Sequence, residues 1–565
     1  MLRTFEMHQV RKTTELSGKL WNFTPLEGEQ AGETMKVMVP SCLETYPGFG
    51  NYRGFVSYET VFEAQGNIRL EFKGVSHFAR IYIDGKEEAA HYGSYTPFGV
   101  CLKNLPAGEH TLKVEVDNAF RDDYVLDFPN DYMSYGGISR GVMLEQVGEL
   151  YLEWVHVTPL QEKNGVWTVR AEVSCHNLTE MPQKAMIRLK LADREVTSEE
   201  IQLMPGENNY TFEEFQAEDV TPWSMETPAL YQVVVTLEQK GSVVDDLIDR
   251  TGFRLVRLEG REVLLNGKPL RIKGFCRHED HPQYGCALPR EAIAYDLQLI
   301  KDLGANSVRT SHYPNDELFL DMCDELGILV WEENHARGID GERMKSPYFE
   351  EQCEQVIKEM ITAHYNHPSI YIWGILNECG SETEYERSCY HAQFDLIRSL
   401  DSSRVCSAAS CRFGTDICQD LPDVCSWNFY PYWYDEDTAT QKIEKLHNWL
   451  ESDGNGAGKP LLITEVGAGG IYGFRDTSSD VWSEDLQAEI LEKQLKEIAA
   501  SEDCMGMYIW QFCDVRVSRI WWALRRPKSR NNKGIVDEYR RPKMAYKVVR
   551  EIFRSLPDYR EKCKA

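Results

Sequence analysis

From residue 270 onward the sequence alternates short, almost wholly apolar runs with segments of helical period, and this restricts the chain to a parallel α/β architecture. The runs are LRIKGF (270–275), NSVRT (306–310), GILVWEE (327–333), IYIWGILNE (370–378), RVCSAA (404–409), VCSWNFY (424–430), PLLITE (460–465) and GMYIWQF (506–512). A strand apolar on both faces is buried on both faces, as in a parallel sheet covered by helices. With helical segments such as REAIAYDLQLIKDLG and EDLQAEILEKQLKEIAA between them, eight such strands predict a closed (β/α)8 TIM barrel with its active site at the C-terminal strand ends.

Two of the runs end abruptly in a carboxylate: strand four in Glu378 and strand seven in Glu465. Two carboxylates in one cleft are the apparatus of glycoside hydrolysis, one protonating the leaving oxygen and the other attacking the sugar carbon or directing water at it. A single Glu at a strand end is equally ordinary, so the inference rests on the pair.

Upstream the texture is β. HTLKVEVDN turns Leu112, Val114 and Val116 one way and Lys113, Glu115 and Asp117 the other. VWTVRAEVSC, AMIRLKLAD and LYQVVVTLEQ follow at sandwich-like spacing. A chain of 565 residues exceeds one core. The expected division is a β-sandwich over 1–150, a second over 151–258 and the barrel over 259–565.

The opening MLRTFEMHQVRKTTELSGKLW has no signal-peptide core and no stretch reaches membrane-span length, so a cytoplasmic location is expected. Sixteen cysteines without a CxxC pair read as reduced core residues. A net charge of −28 argues against nucleic acid or an anionic membrane as partner, since either needs a basic surface. Any anionic ligand must be met locally.

RHED at 277–280, RTSHYP at 309–314, NE at 377–378 and ITE at 463–465, behind two sandwiches, resemble glycoside hydrolase family 2 over the whole chain. The resemblance implies a jelly-roll-like sandwich, an immunoglobulin-like sandwich and a catalytic barrel. Ending soon after the barrel, the chain is similar to the three-domain β-glucuronidase branch rather than the longer β-galactosidases. By resemblance Glu378 is the general acid/base and Glu465 the nucleophile of a retaining mechanism that needs no cofactor and no metal, with the carboxyls about 5 to 5.5 Å apart. Asn377 would then donate to the sugar 2-hydroxyl. Asn531, Lys533 and Gly534 in SRNNKGI match an NxKG motif that holds a uronic acid carboxylate, with Arg525, Arg526 or Arg530 assisting. Asp131 in NDYMSYGGISR would reach a hydroxyl from the first sandwich. His278, Asn428, Tyr430, Trp433, Tyr434 and Trp510 fall where the family lines its sugar pocket, and His312 would support the nucleophile. The cluster RHEDH (277–281) is not read as a metal site, because its histidines stand in a short turn.

Two positions depart from the familiar pattern. Val466 replaces a tyrosine beside the nucleophile, and Arg337 in EENHARGID stands where an apolar residue is expected. A guanidinium at the pocket rim is a directional donor suited to an axial C4 hydroxyl, the feature separating galacturonate from glucuronate; pairing with Asp340 is its plain alternative. The expected activity is a retaining exo-acting β-hexuronidase on small glycosides, leaning to β-D-galacturonides. The alternatives are a β-glucuronidase, a β-galactosidase and a non-catalytic carbohydrate-binding protein. A homo-oligomer is expected from the resemblance alone.

Overall fold

The computed structural model describes residues 2–519 and 521–561. The first sandwich is built on an eight-stranded sheet. Its spine is the long antiparallel pair Phe55–Phe72 and Phe98–Asp117. Alternation along these strands sends Val56, Tyr58, Leu112, Val114 and Val116 into a core with Trp21 and Phe23, all fully buried. The second sandwich packs a four-stranded sheet against a five-stranded one around Trp167, Val173, Ile187 and Val235. Residues 3–11 run outside the first sheet. Arg3 grips Asp321 through two hydrogen bonds of 2.9 Å, and Ile248 N–H donates to Met7 O at 2.7 Å, so this segment ties the second sandwich to the barrel.

The barrel strands are β1 (Ile272–Cys276), β2 (Ser307–Arg309), β3 (Leu329–Glu333), β4 (Ile370–Ile375), β5 (Val405–Ser410), β6 (Val424–Asn428), β7 (Leu461–Val466) and β8 (Cys504–Ile509). All are parallel, and β1 pairs with β8 to close the cylinder. Every residue in them is buried, which is why the sequence shows unbroken apolar runs instead of alternation. Inside, the Ser307 and Tyr508 hydroxyls meet at 2.6 Å and those of Tyr371 and Tyr508 at 2.9 Å, so the few polar groups of the barrel core satisfy one another.

Among the described residues, seven helices of ten or more residues surround the strands: α1 (Arg290–Asp302), α2 (Glu317–Leu326), α3 (Phe349–His364), α4 (Glu384–Leu400), α5 (Ala439–Ser452), α6 (Glu484–Ala500) and α7 (Met544–Ser555). Capping boxes at Thr383/Glu386 and Thr438/Gln441 start α4 and α5. Gly327 ends α2 at φ +64°, against the Met225 carbonyl. The expectation of eight strand and helix units fails at one place, because β5 and β6 are joined by turns over 411–423 without a helix. That stretch carries Gly414, Asp416 and Pro422, and Asp416 organises it by accepting from Ser410 Oγ at 2.5 Å and Cys418 N–H at 2.8 Å.

Candidate active site

Glu378 and Glu465 open at the same barrel mouth, linked by Asn428. Asn428 Nδ2 donates to Glu378 Oε1 at 3.0 Å and to Asn377 Oδ1 at 3.1 Å, and its Oδ1 accepts from Thr464 Oγ1 at 2.7 Å, beside Glu465. The chain leaves β4 through Leu376 at φ +46° and Glu378 at φ +51°, left-handed conformations that non-glycine residues adopt at a cost. Three backbone hydrogen bonds or their equivalents hold this kink: Leu376 N–H to Asn334 Oδ1, Asn377 N–H to Ala336 O and Glu378 N–H to Ala409 O. The result lifts the Glu378 side chain, 23% exposed, to the pocket's solvent side.

Glu465 lies deeper, at 4% exposure. Arg309 Nη1 donates to its Oε1 at 3.2 Å and the Tyr430 hydroxyl to its Oε2 at 2.5 Å. Burial, and then the neighbouring Glu378 charge, push the Glu465 carboxyl up to about 8, against the pull of Arg309, Tyr430 and Arg337. Because the Glu378 charge is one cause of that rise, the titration of Glu465 is coupled to its neighbour. Arg309, fully buried at the end of β2, also donates to Asn377 Oδ1 at 2.6 Å and to Glu333 at 2.8 and 3.2 Å. His312 Nδ1 meets Glu333 at 2.7 Å, and its ring stacks on Trp510 at 5.0 Å. His278 stands edge-on to Trp510 at 5.4 Å and reaches the Tyr313 hydroxyl at 3.3 Å.

The opposite wall comes from the first sandwich. Its loop after Asp117 is buried against the barrel, where Arg343 donates to the Val125 and Tyr124 carbonyls and Ser518 Oγ to that of Tyr132. Asp131 thereby enters the barrel mouth, where it accepts from Arg526 Nη2 at 2.6 Å and Asn531 Nδ2 at 3.1 Å, with Arg337 Nη2 at 3.4 Å. Burial opposes its ionisation, yet Arg337, Arg526 and Lys533 together hold its carboxyl well below the usual range. Of the three candidate arginines, Arg526 faces this cluster, whereas Arg530 turns toward Glu538. Lys533, 1% exposed, donates to the Tyr434 hydroxyl at 2.8 Å over the rings of Tyr430, Trp433 and Tyr434. Burial and the nearby Arg526 lower its basicity.

Arg337 does not pair with Asp340, which caps a helical turn through Arg343 N–H instead. Its Nη1 donates to Asn130 Oδ1 at 2.5 Å, and its Nη2 lies 3.9 Å from Glu378 Oε2. Val466 is fully buried in the layer between strands and helices. Five buried polar atoms converge here without a hydrogen-bond partner: Asp131 Oδ1, His278 Nε2, Arg337 Nε, Asn377 Nδ2 and Asn531 Oδ1. Buried polar groups are normally satisfied, so this cluster leaves hydrogen-bonding capacity open at the barrel mouth. A cavity of about 360 Å³ beside it is lined by Cys411, Phe413, Asn428, Tyr430 and Tyr434.

Elsewhere in RHEDH, Arg277 pairs with Asp296 within the barrel, while Glu279 meets Arg140 and Asp280 meets Tyr135 across the interface with the first sandwich. Among the described residues a metal-type grouping occurs at Asp321, Asp324 and His367. It lies away from the strand ends that carry the carboxylates, with Asp321 held by Arg3 and Asp324 by His367 at 2.5 Å. The sequence reading gave Arg309 and Asn130 no role. Arg309 was detectable, because it places a charge next to the end of the apolar run NSVRT.

Residues 34–147, 150–254 and 256–557 match the sugar-binding, middle and TIM barrel models of the glycosyl hydrolases family 2. The fold superposes with TM-score 0.97 on a family 2 beta-galacturonidase from Eisenbergiella tayi bound to galacturonate, 54% identical over 99% of this chain and 100% of that one. A beta-glucuronidase of Streptococcus agalactiae is 26% identical over 98% of both chains. A Formosa agariphila protein is 28% identical over 86% of this chain, which spans 62% of that protein's length.

Proposed function

This chain belongs to glycoside hydrolase family 2 and is a glycoside hydrolase; from that premise we propose that it is a retaining exo-β-hexuronidase favouring β-D-galacturonides. The observation that carries the reading is the buried Lys533 ammonium beside Asn531, in the same pocket as the paired glutamates. A buried cation with few anionic partners suits a substrate carboxylate, and a neutral sugar would leave it unmet. The likeness to a galacturonate-bound beta-galacturonidase and to a beta-glucuronidase points the same way.

In the proposed reaction the Glu465 carboxylate attacks the anomeric carbon while Glu378 gives its proton to the leaving oxygen. The bond to the aglycone breaks and a glycosyl ester forms on Glu465. Glu378, now a carboxylate, takes a proton from water; the oxygen attacks the same carbon, freeing Glu465 and the uronic acid. The donors support this division. Arg309 and Tyr430 both favour the charged form of Glu465, while Glu378 receives one amide bond and is open to solvent. Asn377, steered by Arg309 and with a free Nδ2, is suited to the 2-hydroxyl.

The epimer preference rests on stereochemistry. Glu465 must attack from the face opposite the leaving oxygen, so Glu378 and Arg337 beside it lie toward the other face. The axial C4 hydroxyl of galacturonate projects to that face, whereas the equatorial hydroxyl of glucuronate lies near the ring plane. Hydrolysis of the four chromogenic β-glycosides (galacturonide, glucuronide, galactoside, glucoside) under one condition tests the proposal. A galacturonide preference is expected. Glucuronide preference would remove the role given to Arg337, and turnover of neutral sugars alone would overturn the hexuronidase reading.

A further inference from the structure

We propose that Cys42 and Cys286 form a latent disulfide site that covalently joins the first sandwich to the barrel on exposure to peroxide. Cys42 precedes the short turn Leu43–Thr45 of the sandwich, and Cys286 lies in the loop between β1 and α1. Their sulfurs are 3.4 Å apart across the interface, at 0% and 5% exposure. A disulfide is about 2.05 Å long, so a modest side-chain rotation closes the gap.

The surroundings hold the pair in place. Met133 and Tyr135 pack with both cysteines in one buried cluster. Gly285 brings the barrel loop so near that a Cβ there would sit 2.8 Å from both Cβ and Sγ of Cys42. Two hydrogen bonds between His281 and Gly285, at 2.8 and 3.0 Å, fix that loop, and the Tyr135 hydroxyl anchors the sandwich side on Asp280 at 2.8 Å. A bond between surfaces already fixed in register needs no domain movement. Met133 and Tyr135 also follow Asp131 closely in the chain, so the link would fasten the wall that carries Asp131.

The chemistry balances with hydrogen peroxide as oxidant. The sulfur of Cys286, the less enclosed thiol, displaces water from the peroxide to give a sulfenic acid. The Cys42 sulfur attacks it, the S–S bond forms and a second water leaves. Two thiols are oxidised by two electrons and one peroxide becomes two waters. Burial pushes the Cys42 thiol up, so the thiol form persists at rest and the reaction is slow.

The test treats the full-length protein with millimolar peroxide or with dithiothreitol, then maps non-reduced peptides by mass spectrometry. The expected result is a peptide pair joining Cys42 to Cys286, two hydrogens lighter than its parts and released by reductant. The oxidised protein should melt several degrees higher, since a long loop is closed. Cys286→Ser should lose both the linked pair and the melting shift. If both cysteines of the oxidised wild type remain alkylatable after unfolding, or carry only sulfinic or sulfonic acid, the proposal is overturned.

Discussion

Replacing Arg337 by alanine should cost a β-galacturonide about 10- to 150-fold in kcat/KM, and a β-glucuronide less than about 3-fold. The range is one charge-assisted hydrogen bond, about 1.5 to 3 kcal/mol, read as transition-state stabilisation. The loss should not reflect unfolding. Asp131 loses Arg337 as a neighbour but keeps Arg526 at 2.6 Å and Asn531 at 3.1 Å, so its loop stays anchored. Arg337→Lys should fall between, because an ammonium keeps the charge but lacks the fork. A second readout is independent of substrate stereochemistry. Arg337 is among the charges that hold Glu465 down, so its removal should move the alkaline limb of the pH profile upward. The assay is initial rates on both chromogenic epimers across pH, with circular dichroism as a fold control. Equal losses on the two epimers would refute the argument.

Lys533→Met should lower kcat/KM on uronides by at least about 10-fold while leaving the residual rate on a β-galactoside unchanged or higher, measured on matched aryl glycosides. The wild-type kcat/KM should change on the alkaline side with an apparent pKa near 8, set by the coupled titration of Glu465, and Tyr430→Phe should shift that limb upward by deleting a donor that lowers Glu465. Glu465 has a folded value raised above its unfolded one, so its contribution to stability is present below about pH 4.5 and lost as pH rises through about 8. Glu465→Gln should therefore melt higher than wild type by a margin that widens between pH 5 and 9. Asn377→Ala should lower kcat more than it raises KM, because the 2-hydroxyl contact strengthens in the transition state.

The barrel was legible because all eight strands are buried on both faces and so read as almost wholly apolar runs, three of which end in a carboxylate at the mouth. The same logic locates Glu378 and Glu465. The absent helix after β5 was not legible from strand counting, since parallel strands need a crossover but not a helical one. Asp131 and Lys533 were visible only by resemblance, as both sit in irregular segments where periodicity carries no signal. That Arg526 and not Arg530 meets Asp131 depends on the short turn Pro527–Ser529 between them, which no local propensity determines. Val466 shows the converse. The substitution is conspicuous in sequence, yet the side chain faces the helices.

The helix-free connection at 411–423 has an evolutionary consequence. Elsewhere around the barrel, a change in a strand-to-helix loop must preserve the packing of the helix that follows. Here Cys411 and Phe413 border the cavity beside the catalytic mouth, and no outer-layer element hangs from them. Insertions, deletions and exchanges at its exposed tip, 411–415, are therefore less tied to barrel packing than changes at the buried Asp416, Cys418 and Gln419 that follow. Lineages with the same pair of glutamates can diverge there in the leaving groups they accept, and a library confined to these positions should retain folded members at high frequency.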